Sequence, residues 1–164
     1  MPLSEKGAAL RAQLIRNPRD AVLEPSRRDP LYESRGARLS TGSAARKLGG
    51  GFDSVAPGKR SCPYHFHHAQ EELFVIVRGR GKLRVAGELL PIEAGDAIFI
   101  PPGPEYPHQL VNDSDEPLDY WSFSTQEAVD VVEYPDSGKL LARAPGVRHT
   151  ARAADAIDYW EGEP

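Results

Sequence analysis

Gly58-Lys-Arg-Ser-Cys62-Pro-Tyr-His65-Phe-His67-His-Ala-Gln-Glu-Glu72-Leu-Phe-Val-Ile-Val-Arg-Gly79 sets two histidines one residue apart and puts a carboxylate five residues after the second. In an extended strand alternate side chains share a face, so His65 and His67 project to one side about 7 Å apart while Phe66 points away. A second segment, Gly95-Asp-Ala-Ile-Phe-Ile-Pro101-Pro-Gly103-Pro-Glu-Tyr-Pro-His108-Gln-Leu-Val-Asn112, brings a third histidine on another strand-like run. Three neutral imidazoles and one carboxylate suit a single divalent transition metal such as Fe, Mn, Ni or Zn.

Around these segments short apolar runs alternate with turn signals: Phe52 to Val55, Tyr64 to His67, Leu73 to Val77, Lys82 to Val85, Leu89 to Ile92, Ala97 to Ile100, His108 to Val111 and Leu118 to Phe123. Gly79-Arg80-Gly81, Ala86-Gly87-Glu88 and Ala94-Gly95-Asp96 punctuate them. The pattern predicts an all-β sandwich or barrel. Upstream, Ser4 to Arg16 reads as a short helix ended before Asn17-Pro18, and the Pro-, Arg-, Ser- and Gly-rich stretch to Gly51 reads as an arm with one or two strands.

The two segments resemble the paired motifs of the cupin superfamily. His65, His67, Glu72 and Gly79 fit the first motif, and Gly95, Pro101, Gly103, His108 and Asn112 fit the second. Six residues rather than five separate Gly58 from His65 by the numbering of that pattern, and four rather than two lie between Gly103 and His108. Glu71 and Glu72 cannot both face a barrel interior, and the motif's spacing to Gly79 selects Glu72. The resemblance covers roughly residues 45–125 and implies a double-stranded β-helix, the jelly-roll cupin barrel, with His65, His67, Glu72 and His108 as metal ligands. The Val129–Lys139 and Asp158–Pro164 pieces are similar to those of small, single-barrel bacterial conserved-barrel cupins. The expected organisation is an N-terminal arm over 1–44, the barrel core over 45–125 and a C-terminal extension packed on it over 126–164.

Strand parity gives the expected pocket. If Glu72 faces inward so do Phe74 and Ile76, and if His108 does so do Leu110 and Asn112, which predicts a largely apolar wall. No inward acid or base stands beside the ligands on these strands, leaving Tyr106, just before His108, as the candidate catalytic donor at the pocket mouth. Cys62 is expected on the opposite face from His65, His68 at the rim, Asp96 in a turn, and Asn112 in strand-end hydrogen bonding. Leu73, Val75 and Val77 make the outer face of the same strand apolar, which calls for cover by the arm, a second sheet or a second subunit. A homodimer or larger assembly, with that face and the N-terminal arm in the interface, is the expected state.

The chain has 164 residues, room for one domain, and a formal charge of −4 with scattered arginines, which offers no footprint for nucleic acid. One cysteine allows no intramolecular disulfide, and the first thirty residues hold no continuous apolar run for a secretory or membrane segment, so a cytoplasmic protein is expected. The reading points to a metal-dependent enzyme, a dioxygenase, decarboxylase or isomerase acting on a small oxygenated metabolite. The other reading is a non-catalytic cupin module that binds a sugar or organic acid.

Overall fold

A computed structural model describes residues 2–164. The chain opens with helix α1 (Glu5–Leu14), whose N-cap Ser4 hydroxyl accepts from the Gly7 amide at 3.1 Å. No residue of α1 is buried, so capping rather than a packed face holds it. Thirteen strands follow: β1 (Glu24–Arg28), β2 (Tyr32–Ala37), β3 (Leu48–Val55), β4 (Phe66–His67), β5 (Glu72–Arg78), β6 (Arg80–Val85), β7 (Glu88–Glu93), β8 (Ala97–Ile100), β9 (His108–Val111), β10 (Leu118–Thr125), β11 (Asp130–Tyr134), β12 (Lys139–Ala144) and β13 (Val147–Arg152).

They pair antiparallel in three sheets: a six-stranded one in the order β1-β2-β3-β10-β5-β8, a four-stranded one in the order β13-β12-β11-β4, and a three-stranded one in the order β7-β6-β9. This is the double-stranded β-helix. Its core lies between the sheets, where Val55, Phe74, Ile76, Leu83, Ile92, Ile100, Leu110, Leu118 and Tyr120 interlock. These are the alternate residues of strands whose other face is solvated or half-buried, the period-two pattern of a sandwich.

The turns carry the strain that the strands cannot. Gly79 joins β5 to β6 with φ 82°, and a Cβ built on it would stand 2.3 Å from the Pro117 carbonyl oxygen. Only glycine satisfies both the left-handed backbone and that approach. Asn112, with no exposure, closes the corner after β9: its Nδ2 donates to the carbonyls of Val55 at 2.9 Å and Glu116 at 2.7 Å, and its Oδ1 accepts from the amide and hydroxyl of Ser114. Asp96 likewise turns the chain, its Oδ2 accepting from the Glu93 amide at 2.8 Å.

Of the three covers the sequence left open for the outer face of β5, the arm takes another place: β2 pairs edge to edge with β3, setting Gly36 opposite Asp53 and Ala37 opposite Phe52. The reason is that β3 offers a free row of backbone donors and acceptors, and edge pairing satisfies them. The outer face of the six-stranded sheet therefore stays open among the described residues, with Val77 45% and Phe99 70% exposed. Replacing Gly79 by Ala should destabilise the fold by about 2–3 kcal/mol, combining positive-φ strain with the Pro117 clash. A lower urea midpoint with unchanged slope is the expected readout.

Candidate functional site

A two-way backbone bridge builds the site. The His65 amide donates to the His108 carbonyl at 3.2 Å and the His108 amide to the His65 carbonyl at 2.7 Å, which sets these two histidines opposite one another. Their ring centroids lie 4.6 Å apart, and the His65 and His67 rings 5.2 Å apart. Glu72, the first residue of β5, points its Oε2 among them. The Nε2 atoms of His108, His67 and His65 lie 2.9, 3.6 and 4.0 Å from that oxygen.

The far side of each ring explains the orientation. His65 Nδ1 faces the Pro63 carbonyl at 2.8 Å, His67 Nδ1 faces Asp130 Oδ2 at 2.6 Å, and His108 Nδ1 faces the Tyr106 carbonyl at 3.2 Å. All three partners can only accept, so each neutral ring keeps its proton on Nδ1 and turns the Nε2 lone pair toward Glu72. Four electron-rich atoms then face one another. Glu72 Oε2 and His108 Nε2 are both buried, and although close they lack the alignment of a hydrogen bond with each other or with any other protein atom. Burial alone would push the Glu72 carboxyl up; only positive charge at the facing imidazoles of His108, His67 and His65 outweighs it and holds that carboxyl below the usual range, so the cluster favours a cation at its centre. Such a constellation fits a cation at its centre: His65, His67 and Glu72 form a group that could hold a metal ion, and His108 adjoins it.

Asp130 lies outside both sequence motifs. Its side chain has no exposure; Oδ2 accepts from His67 and Oδ1 accepts from the Ala69 amide at 3.0 Å, so it fixes both the ring and the turn that follows it. The visible signal is a carboxylate on the buried parity of β11, which also buries Val132. Gln70 and Arg143 complete this corner through a hydrogen bond from the guanidinium to the amide oxygen, with the guanidinium 3.9 Å from Asp130.

The cluster opens into a cavity of about 610 Å³. Phe74 and Leu110 line it, but Ile76, expected there, is 1% exposed and packs in the core. The wall is not largely apolar. Strand β3 contributes Asp53, β10 contributes Ser122 and Ser124, and the arm contributes Arg38, Ser40 and Thr41. Parity on β5 and β9 alone could not reveal these, because they come from strands joined only in three dimensions. Tyr106 does not line the cavity and is 44% exposed; it contributes its carbonyl to His108 rather than its phenol. Cys62 does line the cavity, contrary to the parity expectation, and burial pushes its thiol up to about 11, which keeps it protonated at neutral pH. His68 pairs with Glu133 at 2.7 Å on a half-exposed rim.

Asp53 is a half-buried carboxylate on the cavity wall. Burial pushes its carboxyl up, against a 2.9 Å hydrogen bond donated by the Ser122 hydroxyl to Oδ2 and the charge of Arg38.

Residues 51–124 match the cupin-domain family. The chain carries a cupin domain. A proposed sugar phosphate isomerase from Acidithiobacillus ferrooxidans has a similar structure, with TM-score 0.76 and 25% identity, over 96% of this chain and 95% of that one. A cupin 2 conserved barrel domain protein from Salinispora arenicola is 27% identical with TM-score 0.55, over 71% of this chain and 90% of that one. A cupin-superfamily sugar phosphate isomerase from Silicibacter pomeroyi, 21% identical with TM-score 0.71 over 78% of this chain and 82% of that one, shares the fold. An uncharacterised protein of Methanocaldococcus jannaschii is 32% identical over 66 residues, which are 40% of this chain. The cupin chain spans about half the length of that curated relative, 51%. Among the described residues no helix is long and apolar enough to cross a membrane.

The raised Asp53 carboxyl makes a prediction with a definite sign. A carboxyl raised in the folded state contributes stability below its unfolded value of about 4, and that contribution is lost as pH rises through the folded value. Asp53→Asn, which keeps an oxygen for Ser122, should therefore be more stable than the parent at pH 7. The advantage should vanish below about pH 4. Urea midpoints at the two pH values measure it.

Proposed function

We propose that this protein is a metal-dependent isomerase that moves a carbonyl between adjacent carbons of a small sugar. The observation that carries the reading is the joining, in one polar cavity, of an imidazole–carboxylate cluster suited to a divalent metal with a separate half-buried carboxylate, Asp53, on the wall. The similarity over nearly its whole length to the proposed sugar phosphate isomerase of Acidithiobacillus ferrooxidans supports it.

His65, His67, Glu72 and His108 would hold the metal, which would polarise a bound carbonyl or hydroxyl oxygen and acidify the neighbouring C–H. The remaining work falls to the chain. Asp53, held by Ser122, would take the proton from the carbon beside the carbonyl and return it to the former carbonyl carbon, while the proton of the adjacent hydroxyl passes through solvent to the former carbonyl oxygen. A carboxyl raised by burial is a better base and a readier donor near neutral pH than an exposed one. Ser122 orients that carboxylate, and the hydroxyl-rich wall of β10 and the arm matches the hydroxyls of a sugar. Asp130 keeps the His67 ring in the tautomer and orientation that ligation needs.

Protein purified without added metal should contain about one divalent transition metal ion per chain by elemental analysis. His67→Ala should lose most of it and keep the β-rich circular dichroism spectrum, because the apolar core rather than an ion holds the strands. An unchanged metal content would remove His67 from the ligand set. In deuterated water the metal-loaded protein should exchange the proton beside the carbonyl of a phosphorylated aldose into solvent, read by proton NMR, and Asp53→Asn should slow this by about 10²–10⁴-fold. Binding without exchange for every aldose and ketose tried would leave a carrier module rather than an enzyme.

The protein also pairs with a second copy through the outer face of the six-stranded sheet. Leu73, Val75 and Val77 of β5 lie there with Phe99 of β8 and the stacked Trp121 and Phe123 of β10. Covering such side chains stabilises by roughly 1.5–3 kcal/mol each when burial is complete. Light scattering should give about twice the 18.0 kDa chain mass, and Val75→Glu should return it to one chain. A parent mass of one chain would overturn the pairing.

A further inference from the structure

We infer that Arg38, Ser40 and Thr41, which line one corner of the cavity, form a phosphate subsite that holds the charged end of the ligand; this rests on the sugar isomerase reading of the same cavity. Two guanidiniums line the cavity. That of Arg143 is committed, donating to Gln70 and standing 3.9 Å from Asp130. That of Arg38 makes no hydrogen bond and no ion pair among the described residues. Though largely exposed, it lines the cavity on the side of Asp53 and Ser122.

Gly51 shows how closely this corner is packed. A Cβ built there would lie 2.9 Å from Ser122 Oγ, 3.1 Å from the Ala37 carbonyl and 3.5 Å from Arg38 Nη1. Gly51 is buried, and a side chain there would displace Ser122 and press on the Ala37 carbonyl and Arg38, so glycine is what lets these groups pack together beside the cavity. At Gly49, one step along the same face of β3, a Cβ would stand 2.4 Å from Gln126 Nε2 and 3.0 Å from Ser124 Oγ. Gln126 and Ser124 cover the backbone there. The Leu48-Gly49-Gly50-Gly51 run thus keeps its strand pairing with β10 while contributing no side-chain volume to the cavity.

The segment after β2 supplies donors to this corner. Leu39, 8% exposed, anchors it, and the Ser40 amide donates to the Gly50 carbonyl at 3.0 Å. Ser40 and Thr41 face the cavity with hydroxyls that make no side-chain hydrogen bond among the described residues. A planar guanidinium with two hydroxyls beside it matches the tetrahedral oxygens of a phosphate monoester. Asp53 faces the same corner, but its carboxyl is raised and tied to Ser122, so its repulsion of an anion is reduced. The phosphate would be held on the arm while the carbon chain runs toward the histidine cluster.

The test is calorimetric titration with inorganic phosphate, and with a phosphorylated aldose against the same aldose without phosphate, on the protein as purified. The parent should bind phosphate and prefer the phosphorylated sugar. Arg38→Met, which keeps the apolar stem of a largely exposed side chain, should weaken both by at least about tenfold, and Arg38→Lys should fall between because it keeps charge but loses the fork. Ser40→Ala with Thr41→Ala should weaken phosphate severalfold with the charge intact. His67→Ala should still bind inorganic phosphate. No phosphate binding by the parent, equal binding by Arg38→Met, or loss of binding in His67→Ala would each overturn the subsite, the last by assigning the anion to the histidine cluster. Failure of the isomerase reading would look different: proton exchange would be absent while Arg38-dependent phosphate binding remained.

Discussion

The paired hydrogen bonds between the main chains of His65 and His108 are the tie on which the site depends. Each residue donates to and accepts from the other, so two segments forty-three positions apart by number are locked at one level of the barrel. The side chains of both then project to the same side, as directly opposed residues of antiparallel strands must. His67 follows by strand period, and Glu72 enters from β5, held between β10 and β8. No ligand atom needs a loop of its own to reach the centre. That rigidity lets four electron-rich groups be pressed together; on mobile loops they would turn away from one another.

The barrel, its strands and its turns were legible in the sequence because period-two apolar runs and turn glycines act over a few residues. Strands β3 to β10 fall where the runs predict them, and Gly79, Gly95 and Gly103 all take positive φ. The histidines and Glu72 were legible for the same reason, since HXH and the downstream glycine are local patterns. Asp130 was not. It meets His67 across sixty-three residues, through a pairing of β11 with β4 that only two residues of ladder record. Asp53 and Arg38 were hidden differently: Asp53 falls in the Phe52 to Val55 run, but no ligand on that strand fixed which face points inward, and Arg38 falls in the stretch read as an arm. Once β3 is seen next to β10, its inward residues belong to the cavity wall, and the expectation of an apolar pocket fails.

The distribution of buried charge separates structure from site. Asn112 is as deeply buried as Asp130, yet every polar atom of its side chain is bonded, so it serves the corner alone. Glu72 and His108 carry unpartnered atoms and Asp53 a raised carboxyl, all around one cavity. Groups held at this disadvantage lower the stability of the fold. A chain that needed only a barrel would replace them with apolar residues of similar volume.

The six-stranded sheet ends in two strands that resist extension. At one edge β1 carries Pro25, which has no amide to donate, between Glu24 and the Arg27-Arg28 pair, and all five of its residues are exposed. At the other edge β8 has four residues and runs into Pro101-Pro102. Any strand added beside β1 would have to accept a missing hydrogen bond and two like charges, and one added beside β8 would find too short a ladder. Fibre-like growth by edge pairing is thereby discouraged even though β1 and β2 hang on the sheet by a single neighbour, β3. The hairpin that walls the cavity is also the cap that keeps the sheet finite.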